Sequence, residues 1–573
     1  MSLSFYNFVI IFSIFIVMLM SCRRYTKIFN ILASFSLLTF SVLILNLANI
    51  NEVISILNLR LIANINSEFK MIGSIFLLVT FVAFLSGIRQ SKKSEMIVGS
   101  IYCLSSLMCL FTGNLISLFI SLELMMLAAT ILIFIGNNHE SAKLSQRYFL
   151  THLTSGSLIL VGVSYIIAKT GSTEIIPLTQ FMNYSNEGFV FCVLIFIGCL
   201  INVACVPFAS WVINCYPAAS NSSFIYLITF TTKVSVVVLI KLFAGFETLK
   251  FCGIAMIVYG GIYACIEENL KRILCYLTLS QLGFMLTLVG TGNVASISFV
   301  YSYIVIHIFY TMLLAVLLGM LQEVSIETTW QIKRIQNRFV KIALLIGVLT
   351  MLNFPFTSSF ILKLQLSGIL NASSEYYLIL LINSMVVLAI PFREYFNAKE
   401  LVRIKMTKSG LFTIIFALTI LMVATIPVIV RSEVMRQVYE AVISSLTRSS
   451  WSLTLPSGSE MLGNIFRNDE ANVIAGGAKQ LIVIAIGALL AFIIKISRKS
   501  TINMNLDLVG FVSNIRISQE KTKLELVADD NKLIYQNITH SILDKITLLH
   551  NQQTAIFIVF CLLIILLIVS FNL

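Results

Sequence analysis

The sequence predicts an all-α polytopic membrane protein with about 14–16 transmembrane helices. Of its 573 residues, 58% are hydrophobic and only 11% are charged, and the mean hydropathy is +0.95. Soluble domains carry about 25% charged residues, so this composition excludes an ordinary soluble fold. Apolar segments of about 20 residues, the length at which a helix crosses a bilayer, recur from one end of the chain to the other.

The apolar segments define sixteen predicted spans. The first lacks the basic start and the small-residue cleavage site of a signal peptide, so we interpret it as a retained helix. The predicted spans are 3–20, 29–49, 70–88, 96–113, 115–136, 148–168, 189–214, 223–245, 251–266, 273–292, 296–321, 340–369, 376–392, 410–430, 480–497 and 554–572.

Basic residues are distributed unevenly between the loops. The connections after odd-numbered spans hold most of them, beginning with Arg23, Arg24 and Lys27 after the first span. Because cytoplasmic loops carry an excess of basic residues, we predict that these connections are cytoplasmic and that the N-terminus is outside. The net charge of +13 is explained by this topology and does not indicate nucleic-acid binding.

Two prolines interrupt long apolar segments, Pro207 in the seventh span and Pro355 in the twelfth. Proline breaks a helix, and the freed carbonyls are tolerated at membrane depth where they line a cavity or are covered by protein. The breaks are an odd number of spans apart, which predicts two inverted five-helix repeats. We divide the chain into N-terminal helices, a first repeat, a second repeat and an extension with further helices and a soluble connection: 1–95, 96–245, 251–395 and 396–573.

Three ionisable residues lie within apolar spans: Glu123, Lys233 and Lys363. A charge at the centre of a bilayer costs about 2.5–3.5 kcal/mol on insertion scales, so such residues are rare and usually functional. The alternative, a side chain that reaches to the interface from a helix end, fits Lys233 poorly because it stands about ten residues into its span. His307 is a lone histidine on an apolar helix, for which a core role and a functional role are equally plausible.

No metal or redox cofactor is indicated. The eleven cysteines lie almost entirely within or beside apolar segments without a C-x-x-C pair, and the five histidines include no pair at metal or haem spacing. We therefore expect no cofactor, no metal site and no redox centre in this chain.

Several motifs occur in a fixed order. They are Asn114 followed by Glu123-Leu124, the broken-helix pattern Pro207-Phe208-x-x-Trp211 with Pro217-Ala218, Lys233 with Lys241, the stretch 271–284, His307, and Pro355 with Phe360-x-x-Lys363. Together they resemble the antiporter-like membrane subunits shared by Mrp-type multisubunit cation/proton antiporters and respiratory complex I. The resemblance covers about residues 70–395.

The resemblance implies a proton or ion path built from two half-channels, one in each repeat. Glu123 would modulate the first half, Lys233 would be the central relay, His307 would connect the second half and Lys363 would be the outlet group. The lysine that the family carries five residues before the broken-helix proline is Asn202 here, and the lysine four residues after the histidine is Thr311.

These departures affect the path directly. Asn202 can hydrogen-bond along a path that includes Thr231, Thr232 and water, but it cannot carry the proton as a charged lysine can. A carboxylate without its cationic partner favours the neutral form, so Glu123 is expected to rest protonated.

Three functions are compatible with these motifs. The first is a proton-translocating subunit of a multisubunit monovalent cation/proton antiporter, similar to the Mrp D subunit. The second is a proton-pumping subunit in the membrane arm of NADH-quinone oxidoreductase, and the third is a structural subunit of either complex in which transport is impaired. Each implies other membrane subunits, protons, monovalent cations and the lipid bilayer as partners, in the inner membrane of a bacterium or of a mitochondrion.

Overall fold

The computed structural model describes residues 4–351 apart from short gaps, and a few isolated positions beyond them. The gaps are 22–26, 50, 57–58, 87–92, 137–139, 183–185, 324–325 and 327–336, and the isolated positions are 357, 359, 411, 414–416 and 418. Predicted spans 13, 15 and 16, Pro355 and Lys363 lie outside the described residues. Almost all described residues belong to one compact unit; Val206–Ser210 are assigned to a second, small unit.

The N-terminal part is three helices with a hairpin between the second and the third. The helices are α1 (Phe5–Ser21), α2 (Lys27–Leu45) and α3 (Ser67–Ser86). The antiparallel strands β1 (Glu52–Ile56) and β2 (Leu59–Ala63) were not predicted, although β-branched residues dominate β1.

The hairpin is tied to the helices at both of its edges. The Glu52 carboxylate accepts hydrogen bonds from the backbone N–H of Phe5 at 2.9 Å, at the N-terminus of α1 where a negative charge is favoured. On the other edge, the Ile62 carbonyl accepts from the N–H of Gly113 at 2.8 Å. The hairpin thereby links the start of α1 to the residues that follow α4.

The chain continues, through the predicted first repeat, as a series of packed helices. It contains α4 (Lys93–Phe111), α5 (Leu115–Phe134), α6 (Ser141–Thr170), the short α7 (Leu178–Met182) and α8 (Asn186–Asn202), and consecutive long helices pack against each other. Asn114 caps α5 by accepting the N–H of Ile116 at 3.0 Å. This asparagine of the glutamate-helix motif therefore fixes where the Glu123 helix begins.

The break predicted at Pro207 is confirmed. Helix α8 ends at Asn202, and Ala204 adopts the left-handed region with φ of 61°. The N–H groups of Ala204 and Cys205 bond back to Ile201 and Leu200 in the pattern of a Schellman cap, with alanine at the position that glycine usually holds. Val206-Pro207 is a cis peptide, and helix α9 (Ser210–Cys215) follows.

The remaining described helices follow a 3₁₀ turn at Tyr216–Ala218. They are α10 (Asn221–Thr229), α11 (Thr231–Phe243), α12 (Thr248–Ile266), α13 (Leu270–Thr291), α14 (Val294–Glu323) and α15 (Arg338–Met351). The eighth predicted span is interrupted at Phe230, which separates α10 from α11; the sequence analysis did not anticipate this second break.

Within the described residues, seven helices are long and apolar enough to cross a membrane, and four more are apolar but shorter. The segment Asn221–Phe243 and helix α13 are wholly buried and form the centre of the bundle. In contrast, α1 and α5 expose large apolar side chains such as Ile14 and Phe134, as expected of surfaces that meet lipid. The predicted fold class, a polytopic helical membrane protein, is confirmed.

Candidate functional site

The carboxylate of Glu123 projects from the middle of α5 against helix α6. At the contact α6 carries Gly156, and a Cβ at this position would overlap with Oε1 of Glu123. The half-buried Glu123 makes no hydrogen bond or ion pair with any described residue. Gly156 therefore makes room for a carboxylate that no neighbouring described cation neutralises.

Glu123 lines a small cavity between α5, α6, α8 and the start of α11. Its other polar lining residues are Tyr148 and His152 from α6, Asn202 from the end of α8 and Thr231 from the start of α11. The rest of the lining is mainly apolar. The cavity therefore brings a carboxylate, an imidazole, an amide and two hydroxyl groups to one place inside the bundle.

Asn202 is held by two hydrogen bonds from α6. Nδ1 of His152 lies 2.9 Å from Oδ1 of Asn202, and the hydroxyl of Ser155 is 2.9 Å from the same oxygen. With the amide oxygen of Asn202 turned toward the ring, Nδ1 of His152 carries the proton in this bond, because an amide oxygen accepts but does not donate. Nε2 of His152 is then the basic nitrogen; it is buried and has no hydrogen-bond partner among the described residues.

The ring of His152 is fixed by its aromatic neighbours. Its centroid lies 4.2 Å from that of Tyr148 and 4.5 Å from that of Trp211. Trp211 also donates its indole N–H to the Ile201 carbonyl at 3.0 Å, and Ser235 donates to the Asn202 carbonyl at 3.0 Å. Two carbonyls at the broken end of α8 are thus satisfied by side chains, and the tryptophan of the motif couples this end to His152.

Thr231 connects the cavity to the second break. Its hydroxyl forms a short hydrogen bond with the hydroxyl of Tyr102, and its backbone N–H donates to the same oxygen at 3.2 Å. Because that N–H is bonded to Tyr102, it does not continue the helical ladder. Tyr102 therefore stabilises the interruption at Phe230.

Lys233 is fully buried just beyond this interruption. Its ammonium donates to the Ile228 carbonyl at 2.5 Å, a group that the break leaves without a backbone partner. None of the ion pairs formed by the described residues includes Lys233. The lysine follows Thr231 by two residues but is not itself part of the cavity lining.

His307 lies away from this cavity, in the middle of α14. It is fully buried, and its ring centroid lies 5.0 Å from that of Tyr310 and 6.3 Å from that of Tyr303. Tyr303 donates to Oε1 of Gln281 on α13. Thr311, at the position where the family has a lysine, donates to the His307 carbonyl at 2.6 Å.

The predicted site residues thus fall into three groups. Glu123 and Asn202 share one cavity, Lys233 stands next to its Thr231 wall, and His307 is in a separate polar region. Lys363 lies outside the described residues, so its role stays a prediction.

Sequence analysis missed His152, the residue that contacts Asn202 directly. A signal was present: Tyr148, His152 and Ser155 are four and three residues apart, which places them on one face of an otherwise apolar helix.

Two other lysines of the motifs form structural contacts. The ammonium of Lys241 donates to the carbonyls of Cys109, Leu110 and Thr112 at 3.2, 2.7 and 2.9 Å, and so caps the C-terminus of α4. Lys271 is buried and donates to Oδ1 of Asn221 at 3.0 Å. Across the described ranges, no cluster of histidine, cysteine, aspartate or glutamate could hold a metal ion.

Buried charges beside broken helices in a polytopic bundle are the features expected of an antiporter-like membrane subunit. Residues 112–390 match the family described as "NADH:quinone oxidoreductase/Mrp antiporter, TM", and this match supports the resemblance to antiporter-like membrane subunits.

Curated relatives carry the name NADH-quinone oxidoreductase subunit N. Subunit N 1 of Thermodesulfovibrio yellowstonii is 25% identical over 309 residues, covering 52% of this chain and 67% of that protein. Subunit N of Pelagibacter ubique is 26% identical over 259 residues, covering 43% of this chain and 52% of that protein. The matched region thus spans between about half and two thirds of the length of these relatives.

Solved structures show the same fold in two kinds of assembly. A chain of respiratory complex I from Thermus thermophilus superposes with a TM-score of 0.62 at 16% identity, covering 73% of this chain and 97% of that one. A chain of the Mrp complex from Dietzia gives a TM-score of 0.68 at 15% identity, covering 96% of this chain and 63% of that one. At such identities the likeness establishes the fold alone.

Proposed function

We propose that this chain is a proton-translocating membrane subunit of an assembly of the NADH-quinone oxidoreductase type. The observation that carries the proposal is the cavity that joins Glu123, His152, Asn202 and Thr231 next to the buried Lys233. Ionisable groups inside a membrane bundle are costly and mark ion pathways. Relatives named subunit N favour this assembly over the Mrp D-like function that the sequence analysis placed first.

In this proposal, protons pass between the Glu123 cavity and Lys233. Glu123 exchanges a proton with the cavity, and the hydroxyl groups of Thr231 and Tyr102 lead toward the break at Phe230. Lys233 holds a proton against the Ile228 carbonyl and releases it when the charge of its surroundings changes. The partners would be other membrane subunits, and the bacterial sources of the relatives support the bacterial inner membrane as the location.

Identification of the partner subunits tests directly which assembly the chain belongs to. Purification of the chain with its native partners in gentle detergent should recover flavin and iron–sulfur absorbance together with NADH:quinone activity. A complex without these chromophores, which collapses a pH gradient on addition of sodium or potassium ions, would contradict this assignment and favour the Mrp-type antiporter. The Mrp function remains the second candidate because the fold of the Dietzia chain covers 96% of this one.

A further inference from the structure

We propose that His152 is the proton-carrying group of the Glu123 cavity, through its Nε2 nitrogen. This inference rests on the proposed function and identifies the residue that performs one of its steps. Among the described residues that line the cavity, only Glu123 and His152 have side chains that exchange protons near neutral pH. Asn202 stands at the end of α8 with an amide that is neither acid nor base.

The geometry divides the two nitrogens of His152 between two tasks. Nδ1 is engaged with Asn202 Oδ1 at 2.9 Å, which fixes the tautomer and the plane of the ring. Nε2 is buried, basic and without a hydrogen-bond partner among the described residues. A buried polar atom left without a partner is costly, so its retention calls for an explanation such as a transient proton or water.

The surroundings hold the ring without neutralising its basic nitrogen. Tyr148 and Trp211 pack against the ring, and the hydroxyl of Ser155 reinforces the orientation of Asn202. Rigid neighbours of this kind keep Nε2 in one position while its protonation changes. The Asn202 amide is therefore a positioning residue for His152.

The proton balance of the step is simple. Nε2 accepts a proton that the Glu123 carboxyl delivers to the cavity, the ring becomes imidazolium, and Glu123 becomes a carboxylate. Release of the same proton from Nε2 toward Thr231 restores the neutral ring, while the Nδ1 proton stays on the bond to Asn202. Nothing is oxidised or reduced, and a proton from solvent returns Glu123 to its starting form.

The test compares His152→Gln with Ser157→Ala in the assembled complex. Glutamine keeps an amide N–H for Asn202 but cannot carry the proton, and we expect proton transport to fall roughly tenfold or more. Ser157 lies on the exposed face of the same helix and bonds only to the Leu153 carbonyl, so transport by Ser157→Ala should stay near wild type. Complex abundance on a native gel controls for assembly; if His152→Gln does not assemble, the smaller His152→Asn gives the same comparison.

A second variant distinguishes a proton-carrying role of His152 from a packing role. Asn202→Lys places a titratable group beside position 152, so it should restore transport to the His152→Gln complex. Normal transport in His152→Gln, or an equal loss in Ser157→Ala, would overturn the assignment of His152. If Lys233→Ala abolishes transport while His152→Gln does not, His152 is not a carrier and the proposed function stands; if Lys233→Ala has no effect, the proposed function itself fails.

Discussion

At the scale of single residues, the charges inside this chain differ in how many polar groups surround them. Lys241 is surrounded by three carbonyls at the end of α4, whereas Lys233 reaches a single carbonyl beside a helix break. Glu123 has no described partner and is accommodated by a glycine. The number of polar contacts, more than burial, therefore distinguishes these charges from one another.

Gly156→Ala should displace the Glu123 carboxylate. A Cβ at Gly156 would overlap with Oε1 of Glu123, so the side chain must leave its place against α6. We expect proton transport to drop several-fold in complexes that assemble normally, measured by dye quenching in everted vesicles. Ser157→Ala, on the exposed face of the same helix, is the matched control; unchanged transport in Gly156→Ala would show that the position of the carboxylate does not matter.

Lys241→Met should reduce stability more than it reduces transport. The variant leaves three carbonyls at the end of α4 without their cation, and hydrogen bonds to charged groups contribute about 1.5–3 kcal/mol each. We expect a lower unfolding temperature in detergent, measured by the fluorescence of a thiol-reactive dye. Lys250→Met, which removes a partly exposed ammonium paired with the exposed Glu247, is the control. Equal unfolding temperatures for the two variants would contradict the capping role.

At the scale of elements, both helix breaks are stabilised by side chains from other helices. At the first break Trp211 and Ser235 satisfy the carbonyls of Ile201 and Asn202. At the second break, the hydroxyl oxygen of Tyr102 accepts a hydrogen bond from the backbone N–H of Thr231. Unpaired backbone groups at membrane depth are costly, and these contacts explain how the breaks persist inside the bundle.

Trp211→Phe tests the first of these contacts. Phenylalanine keeps an aromatic ring but has no N–H for the Ile201 carbonyl, which keeps its bond from the Ala204 N–H and loses the indole donor at a cost of about 0.5–1.5 kcal/mol. We expect a lower unfolding temperature than that of wild type, and a loss of transport because His152 packs on this ring. Tyr165→Phe, at a largely exposed hydroxyl, serves as the control. A Trp211→Phe complex as stable as wild type would mean that the indole N–H is dispensable.

At the scale of the whole molecule, the central segment Asn221–Phe243 and helix α13 are buried, whereas α1 and α5 expose large apolar side chains as expected of surfaces that meet lipid. The positive-inside pattern predicts that loops after odd-numbered spans are cytoplasmic. Lys143 near the start of α6 and Lys169 at its end should therefore lie on opposite sides of the membrane.

A labelling experiment checks this topology. With a membrane-impermeant maleimide applied to intact cells, Lys169→Cys should react and Lys143→Cys should not, and the pattern should reverse in everted vesicles. Both positions are exposed, so accessibility within the protein does not limit the reaction. Labelling of Lys143→Cys from the outside would invert the predicted orientation.

Most of the fold could be predicted because the length of an apolar segment and the position of a proline can be recognised in the local sequence. The break at Pro207 follows from one residue, whereas the break at Phe230 depends on Tyr102, 129 residues from Thr231 along the chain. The hairpin Glu52–Ala63 was missed because its short strands pair in a connection that hydropathy leaves undefined. In the site, Lys233 and Glu123 were evident as charges among apolar residues, but the contact of His152 with Asn202 depends on the packing of α6 against α8.

Proton transport by the Lys233→Ala complex tests whether Lys233 carries protons in the assembled complex. Everted vesicles energised with NADH report both proton uptake and NADH oxidation, with the exposed Lys169→Ala as control. We expect Lys233→Ala to lower the number of protons moved per NADH oxidised and Lys169→Ala to leave it unchanged. An unchanged ratio in fully assembled Lys233→Ala complexes would contradict this role and favour a structural subunit.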